Sequence, residues 1–475
     1  MDELHRLLSR ERQAEFQELA RRSRLVREAR TARRAAATAS REGNGGRIRR
    51  TAASMSLGLS RELWLVEIGI FLNMLGYGAV LPFEIIYLHN SRGFSLGVAG
   101  LVVGTITGAA VVTAPLAGPL IDRLGARVIT AAAGTALAFG YAGLAFAHSP
   151  DQAFAAAAFA GAGNGALNPG QSTLMTTLAP SGLRHRATAV SRVAGNAGIG
   201  IGGALGGLVA ACGLTGFVAL FLVNAVTYLA YVCVLLAVVR EAPRPEPVRG
   251  GYRLVARDRT FIHLVIIDVA MIAVGWGVFS WLLPPYARNE LGISAPLIGL
   301  LLLANAATVV VAQVPIARLA EGRRRVVMMA LAASIFTGAC LLVIAAAGAS
   351  PRIAYAALTA ASIAVGVGEC FYTTVLSPLV ADLAPEGLRG RYMAVMGLAW
   401  WAGLAIAPTL GAQLLSHAPD ALFLAAAGTA AVACVSALTL ERTLPEASRL
   451  TPHPGGASVK KAGARMRGFT TRGGD

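Results

Sequence analysis

Four acidic side chains stand inside long apolar stretches of this sequence: Glu67, Glu84, Asp268 and Glu369. A charged side chain at the centre of a bilayer costs roughly 3 kcal/mol on insertion scales, so such residues are candidates for function. Desolvation disfavours the charged form of a carboxyl, which lets a carboxyl at that depth exchange a proton for a cation near neutral pH. The four acids therefore predict proton or cation exchange within a membrane.

Glu369 is the best placed of the four, near the middle of its apolar stretch. Asn164 stands 205 residues before it, at the offset that separates two copies of a repeated segment. The two polar side chains would therefore occupy symmetry-related positions. A protonated glutamate that only hydrogen-bonds a neighbouring helix is the alternative interpretation of Glu369.

The other three acids are weaker candidates. Asp268 lies about eight residues into its apolar stretch and could be a second titrating group or a partner for His263. Glu67 and Glu84 lie nearer the ends of their stretch, where a carboxyl can simply reach water. Several aromatic and amide side chains could line a cavity beside these acids, although a structural role is favoured for each taken alone: Tyr77, Trp276 and Tyr372, with Asn73, Asn168 and Asn305.

Long apolar segments must position these residues. The chain is 55% hydrophobic and 14% charged, whereas soluble domains carry about 25% charge. A helix needs about 20 apolar residues to cross a bilayer, and lipid-exposed strand edges would leave backbone groups unpaired. The sequence predicts twelve such helices, near 63–88, 95–118, 127–147, 152–178, 188–211, 216–239, 261–286, 295–317, 326–348, 352–381, 392–415 and 420–440.

Two halves of the chain resemble each other. Residues 180–190 recur at 385–395, and Gly76-Tyr77-Gly78 recurs as Gly275-Trp276-Gly277 after 199 residues. Tyr87, Asn90 and Ser95 recur at the same offset as Tyr286, Asn289 and Ser294. A duplicated apolar unit in one orientation is how many membrane carriers are built around a central site. The repeat predicts two pseudo-symmetric halves of six helices, 61–240 and 261–441, joined by a linker at 241–260.

Loop charge predicts the orientation of these helices. One set of connecting loops holds seventeen arginines, whereas the opposite set holds only Arg92, Arg288 and Arg352. Basic loops remain on the cytoplasmic side, which places both termini there. The formal net charge of +17 is then explained by topology and by attraction to anionic lipid headgroups rather than by nucleic-acid binding.

The ends of the chain differ from its apolar part. Residues 1–60 hold 14 arginines and 7 acids without the features of a signal peptide, which predicts a basic cytoplasmic arm, mobile or amphipathic. Residues 442–475 predict a basic, disordered tail. The five cysteines form no ligand cluster, so we expect neither disulfides nor a metal site. No nucleotide-binding motif or catalytic arrangement stands out, and we expect neither a cofactor nor an enzyme.

The loop after the second span carries a specific motif. Its residues Gly118, Asp122, Arg123, Gly125 and Arg127 resemble the Gly-x-x-x-Asp-Arg-x-Gly-Arg-Arg loop of the major facilitator superfamily. A degraded copy that lacks the aspartate follows at 318–324. In that family the loop is taken to latch the two halves in the outward-facing state, and spans four and ten line the central cavity. The resemblance, over roughly residues 60–442, implies the same roles for these segments.

Two further segments are similar to the drug–proton antiporter branch of that family. Leu75-Gly76 with Pro82 resembles a signature of its first span, although Glu84 replaces a second proline. Glycines in span five resemble its glycine motif and would allow close helix packing: Gly198, Gly202, Gly206 and Gly207. Ala157 stands where the branch has a buried arginine linked with proton coupling, which puts antiport in doubt.

The residues and the resemblance together predict an all-helical membrane carrier. It would move a small amphiphilic molecule, as in drug or metabolite efflux, across the cytoplasmic membrane by alternating access with coupled protons. An uncoupled facilitator of the same fold and a non-transporting sensor or scaffold are the alternatives.

Overall fold

The computed structural model describes residues 59–179, 183–239, 252–385 and 388–451. Long helices, named α1 to α12 in chain order, fill these ranges. The first six are Arg61–Ser91, Leu96–Leu124, Ala126–Phe146, Pro150–Leu178, Arg184–Ala210 and Leu214–Val238. The second six are Arg259–Asn289, Ala295–Ala320, Arg325–Ala346, Pro351–Leu383, Arg389–His417 and Pro419–Leu440. Two four-residue helices, Tyr252–Val255 and Glu446–Arg449, precede α7 and follow α12. Apart from one isolated bridge, Arg324 with Leu450, the described residues are free of β-structure.

Eleven of the described helices are long and apolar enough to cross a membrane. The exception is α4, which has 29 residues but too little apolar character, because Asn164, Asn168 and Gln171 interrupt it together with glycines. Its length fits a membrane helix, and it packs against α2 and α3 within the bundle. The all-helical membrane fold is confirmed, whereas the count of twelve spans remains a prediction at α4.

The two halves pack by one pattern. In the first half α1 contacts α5 and α6, α4 contacts α2 and α3, and α3 contacts α6. The equivalent pairs of the second half are α7 with α11 and α12, α10 with α8 and α9, and α9 with α12. The halves meet through two helix pairs, α5 with α8 and α2 with α11. The twofold relation between the halves converts one of these pairs into the other. The duplicated sequence therefore builds a duplicated structure.

The contacts between the halves lie at one end of the molecule. We call the end that carries the loops α2–α3, α4–α5, α8–α9 and α10–α11 the basic face, and the other end the opposite face. Among the described side chains, two hydrogen bonds join the halves. The Nδ2 of Asn90 donates to Oδ1 of Asn289 at 2.8 Å, and the Nε1 of Trp281 donates to Oε2 of Glu84 at 2.9 Å. Both bonds lie toward the opposite face, so the halves are joined there.

The asparagine pair links sequence to structure directly. Asn90 and Asn289 are repeat-related positions, 199 residues apart, and they bond to each other where α1 and α7 end. Two equivalent residues can meet only next to the axis that relates their halves. The pseudo-twofold axis therefore passes between α1 and α7.

Glycines bring α5 close to helices on two sides. A Cβ atom built on Gly202 would lie 2.1 Å from the carbonyl oxygen of Leu75 on α1, inside van der Waals contact. Gly198 and Gly206 face α1 in the same way, whereas Gly207 faces the backbone of α8 in the other half. Small residues let helices approach this closely, so the motif packs α5 both within its half and across the interface.

The helices α1 and α7 are irregular at matching places. The α1 helix narrows to a 3-10 turn at Leu81–Phe83, around Pro82, and the α7 helix widens into a π-helical segment at Ala273–Leu282 before Pro284. Proline cannot donate a backbone hydrogen bond, which favours such departures from regular α-helix. Glu84 follows the first irregularity and Trp281 lies within the second, so the broken segments position both side chains.

The terminal arm 1–60, the linker 241–260 and the tail 442–475 lie mostly outside the described residues. Of these segments, 59–60, 252–260 and 442–451 are described. The last of these returns to the bundle, where the backbone N–H of Gly322 donates to the carbonyl of Thr451 and that of Thr451 donates to Arg323. The predicted domain boundaries stay predictions.

Candidate functional site

A cavity of about 270 Å³ lies between the two halves, in the middle of the bundle. Seven aromatic side chains line it: Tyr77, Tyr228, Trp276, Phe279, Trp281, Trp400 and Trp401. Its polar lining consists of Asn164, Asn168, Asn196, Ser280, Asn305, Ser362 and Glu369, and aliphatic side chains complete it. Concave sites that combine apolar walls with a few polar groups are typical of small-molecule binding.

Glu369 is the one acid among the cavity-lining residues, and they include no basic side chain. It is 8% exposed and lies on α10, and its Oε1 accepts a hydrogen bond of 3.3 Å from Nδ2 of Asn305 on α8. The same amide nitrogen lies 3.2 Å from the carbonyl oxygen of Ser362. A shared donor holds the carboxyl in place without neutralising it. Glu369 therefore stays available to a proton or to a cationic ligand.

Repeat-related residues face each other across the cavity. Asn164 of α4 and Glu369 of α10 both line it, as do Tyr77 of α1 and Trp276 of α7. Sequence repetition had related each pair, and the pseudo-twofold axis brings the members to one space. The second half thus presents an acid and an indole where the first half presents an amide and a phenol. The cavity is consequently symmetric in shape but not in charge.

Trp276 and Trp400 form an aromatic corner of the cavity. Their ring centroids lie 5.1 Å apart with the planes tilted by 59°, and Trp276 also contacts the edge of Phe336 at 6.5 Å. Indole faces attract cations more strongly than other aromatic rings, because their quadrupole places negative charge on the face. An aromatic corner in a cavity with one carboxyl can bind an organic cation or an amphiphile with an apolar body.

The structure places three of the predicted cavity residues, Asn73, Asp268 and Tyr372, outside the cavity lining. Asn73 is fully buried where α1 meets α6, and Asp268 is 1% exposed inside the second half. The hydroxyl of Tyr372 donates to Oδ1 of Asp268 at 2.5 Å, so the partner of this acid is Tyr372 and not His263. The Nε2 of His263 bonds instead to Ser436 at 2.7 Å. Asp268 therefore belongs to the interior of one half.

The two acids of α1 are also buried. Glu67 and Glu84 are each 2% exposed, although their positions near the ends of the apolar stretch had suggested contact with water. The hydroxyl of Ser191 on α5 donates to Glu67 at 2.6 Å. Glu84 accepts hydrogen bonds from Trp281 and from Tyr141 at 3.1 Å. Neighbouring helices cover both carboxyls, which sequence position alone could not indicate.

Eight of the aromatic and polar cavity residues were not predicted from the sequence: Asn196, Tyr228, Phe279, Ser280, Trp281, Ser362, Trp400 and Trp401. The adjacent indoles Trp400 and Trp401 in the middle of an apolar span were a usable signal, because tryptophan otherwise concentrates at membrane interfaces. Asn196 and Trp401 are also related by the 205-residue offset, as Asn164 and Glu369 are. Trp281 gave no such signal.

The predicted latch loop is exposed at the basic face. Gly125 ends α2 with a φ of 94°, a conformation that glycine adopts readily, and α3 begins at the next residue. The side chains of Asp122 and Arg123 are both exposed, and neither forms an ion pair with a described residue. The guanidinium of Arg127 donates to the carbonyl of Leu236 on α6 at 2.5 Å. A Cβ atom built on Gly118 would meet no described atom within 4 Å.

The second-half copy of this loop is bonded differently. Arg325 occupies the position equivalent to Arg127, is fully buried, and pairs with Asp382 at the end of α10 at 2.6 Å. Arg324 beside it pairs with Glu441 at 3.2 Å. The copy that lost its aspartate is thus fixed within its own half by ion pairs, whereas Asp122 in the first copy forms no ion pair with a described residue.

Comparison with known proteins gives a consistent result. The family model described as Major Facilitator Superfamily matches residues 66–282 and 265–471. The MFS-type transporter YttB of Bacillus subtilis (strain 168) is 28% identical over 366 residues, covering 76% of this chain and 89% of that protein. The multidrug resistance protein MdtH of Aeromonas hydrophila subsp. hydrophila is 24% identical over 342 residues, covering 70% of this chain and 81% of that protein.

Solved structures share the fold. The nucleoside transporter NupG superimposes with a TM-score of 0.66 at 13% identity, covering 80% of this chain and 100% of that chain. A D-xylose-proton symporter superimposes with a TM-score of 0.64 at 16% identity, covering 81% of this chain and 98% of that chain. At such identities the likeness concerns the fold alone.

Proposed function

The chain belongs to the major facilitator superfamily, and from that membership we propose that it exports small amphiphilic molecules, organic cations above all, in exchange for protons. It is a multi-pass membrane protein of a transporter family. The proposal places it in the cytoplasmic membrane with the basic face and both termini in the cytoplasm, since arginine-rich loops stay on that side. The observation that carries it is the aromatic cavity between the halves, with Glu369 as its one acid.

The lining supports this class of substrate. Tryptophan and tyrosine faces stabilise an apolar or aromatic body and attract positive charge, while Glu369 supplies a full negative charge where it is ionised. No cation among the lining residues competes for that charge. MdtH, named for multidrug resistance, agrees with such a substrate.

Proton coupling follows from competition at one carboxyl. A proton and a cationic substrate cannot both be held by Glu369, because each neutralises the charge that attracts the other. Binding of one then releases the other, which is the elementary step of antiport. Ala157, fully buried, replaces the arginine that the drug–proton branch has in span four. That observation favours an uncoupled facilitator as the second candidate.

Transport of a compound panel tests the proposal. Inside-out membrane vesicles with the full chain would be offered tetraphenylphosphonium, ethidium, a neutral amphiphile and an organic anion, with and without an acidic lumen. We expect the two cations to accumulate only with the gradient, and Trp276→Ala to weaken their apparent affinity on the order of tenfold through the lost cation–π contact.

Vesicles without the chain, and the variant Phe159→Ala at an exposed position of α4, are the controls. Downhill movement that ignores the gradient would favour the facilitator. No movement of any compound would contradict export.

A further inference from the structure

Glu84 forms a contact that the transport cavity does not explain. It lies on α1 in the first half, and the indole N–H of Trp281 on α7 in the second half donates to its Oε2 at 2.9 Å. The hydroxyl of Tyr141 on α3 donates to its Oε1 at 3.1 Å. Both carboxyl oxygens are therefore engaged, one within its half and one across the interface. The carboxyl is one of the two described side-chain links that hold the opposite face together.

Resting on the alternating-access function proposed above, we propose that Glu84 is a second proton-binding site, and that its protonation closes the opposite face of the molecule. Opening that face separates α1 from α7 and breaks the bond from Trp281. Water would then reach the carboxyl, which could lose its proton to that water. When a proton returns from the water, the O–H bond forms on one carboxyl oxygen, and the neutral group can be buried again.

The direction follows from the surroundings of the carboxyl. Glu84 is 2% exposed, and no positively charged side chain among the described residues bonds to it. The titratable groups that face it are Tyr77 on its own helix, Tyr141 on α3 and Tyr228 on α6, while α7 contributes Trp281, which does not titrate. The α2, α5 and α8 helices also pack against this part of α1, and none of their described charged side chains bonds to the carboxyl. A buried carboxyl without a counter-ion is held at lower free energy when neutral.

The arginine closest to Glu84 in sequence is directed elsewhere. The Nε of Arg92 donates to the hydroxyl of Tyr87 at 2.6 Å, and its guanidinium also donates to the carbonyl of Ala145. Those bonds fix Arg92 at the rim of the opposite face. Arg92 therefore provides no compensating positive charge to Glu84 while the opposite face is closed. A proton on Glu84 is then what makes closure of that face favourable.

Trp281 connects this site to the cavity. Its indole lines the cavity, whereas Glu84 is not among the lining residues. The indole ring of Trp281 thus lies between the cavity and Glu84. One part of the ring is available to a substrate, and its N–H is bonded to the carboxyl. A substrate that displaces Trp281 weakens the link between the halves. Cavity occupancy and protonation of Glu84 thereby act on one hydrogen bond.

Buried polar groups continue from this site toward the basic face. The amide of Asn224 and one oxygen of Glu67 are buried without a hydrogen-bond partner among the described residues, while Asn73 bonds to Tyr228 and Tyr231 bonds to Gln171. Glu67 and Glu84 are 17 positions apart on one helix, which corresponds to about 25 Å of helical rise. Unpaired buried polar groups commonly hold ordered water. Polar groups therefore line the contact between α1 and α6 between Glu84 and Glu67.

Distances between spin labels across the opposite face test the proposal. In a cysteine-free version of the full chain in lipid nanodiscs, labels at Ser91 and Glu290 would report closed and open populations without substrate, between about pH 5 and pH 9. A single linked proton changes the closed-to-open ratio by up to about tenfold per pH unit, with acid favouring closure. We expect this dependence in the unmodified chain and its loss in Glu84→Gln, which stays closed throughout.

Three variants separate this site from the transport site. Trp281→Phe keeps the ring but loses the donor, so we expect a larger open fraction at every pH with the pH dependence retained. Tyr141→Phe removes the bond within one half and should change the populations less. Glu369→Gln should keep the pH dependence of the opposite face even where it abolishes accumulation, so the failure of one proposal is distinguishable from that of the other.

A Glu84→Gln chain with the pH dependence of the unmodified chain would overturn the proposal, as would a dependence lost only in Glu369→Gln. If Glu84→Gln does not fold, the Trp281→Phe variant provides the test. Unchanged open and closed populations in that variant would exclude the bond between Trp281 and Glu84 as a link between the halves.

Discussion

Substitution of Glu369 by glutamine is expected to abolish accumulation driven by a pH gradient while exchange down a concentration gradient continues. Glutamine resembles the protonated carboxyl in shape and in hydrogen bonding to Asn305, but it cannot exchange a proton for a cation. We expect the accumulation ratio of a transported cation to fall on the order of 10- to 100-fold, the range of typical coupling free energies. Accumulation in inside-out vesicles with an acidic lumen measures it.

Asp268→Asn is the matched control, because Asp268 is also a buried acid but is bonded by Tyr372 inside one half and does not line the cavity. It should retain coupled accumulation. Gradient-driven transport that is unchanged in Glu369→Gln would exclude Glu369 as the coupling site. A loss in Asp268→Asn alone would transfer that role to Asp268.

Substitution of Asp122 by asparagine is expected to slow the transport cycle roughly tenfold without preventing membrane insertion. The structure has its halves joined at the opposite face, and Asp122 is exposed at the basic face. A latch that closes the basic face would need this negative charge only in the other conformation. The loss would therefore appear as a changed conformational equilibrium, with about 1.4 kcal/mol for each factor of ten. Initial rates for several substrates measure it.

Asp151→Asn provides the comparison for that variant, since Asp151 is an exposed aspartate on the opposite face, in the first turn of α4. It should transport at the rate of the unmodified chain. If Asp122→Asn also transports at that rate for every substrate, the latch assignment is incorrect and the loop serves only as a turn.

Helix positions could be predicted because they depend on local composition. Apolar runs of membrane-spanning length predicted the position of each long described helix. The low apolar character of α4 also depends on its local composition. Asn164 and Asn168 lower its apolar character because they face the cavity rather than lipid. The repeat was equally informative, since the offset that related Asn164 to Glu369 placed them in one cavity.

Contacts across the halves could not be predicted, because they depend on residues far apart in the chain. Glu84 and Trp281 are 197 positions apart and are not repeat-related, so neither sequence spacing nor symmetry indicated their bond. Position along α1 suggested that Glu84 reaches water, whereas packing by α3 and α7 buries it. The cavity residues on α11, Trp400 and Trp401, likewise became meaningful only once α11 was seen to border the central space.

Two-sided access to the cavity is the most direct test of a carrier that alternates between conformations. Ser280 lines the cavity, and a Ser280→Cys variant in a cysteine-free chain can be treated with a membrane-impermeant maleimide in vesicles of either orientation. We expect modification from the basic face in the conformation described above, and from the opposite face when pH or substrate shifts the equilibrium. Modification from one side alone under every condition would contradict alternating access and would favour a non-transporting scaffold.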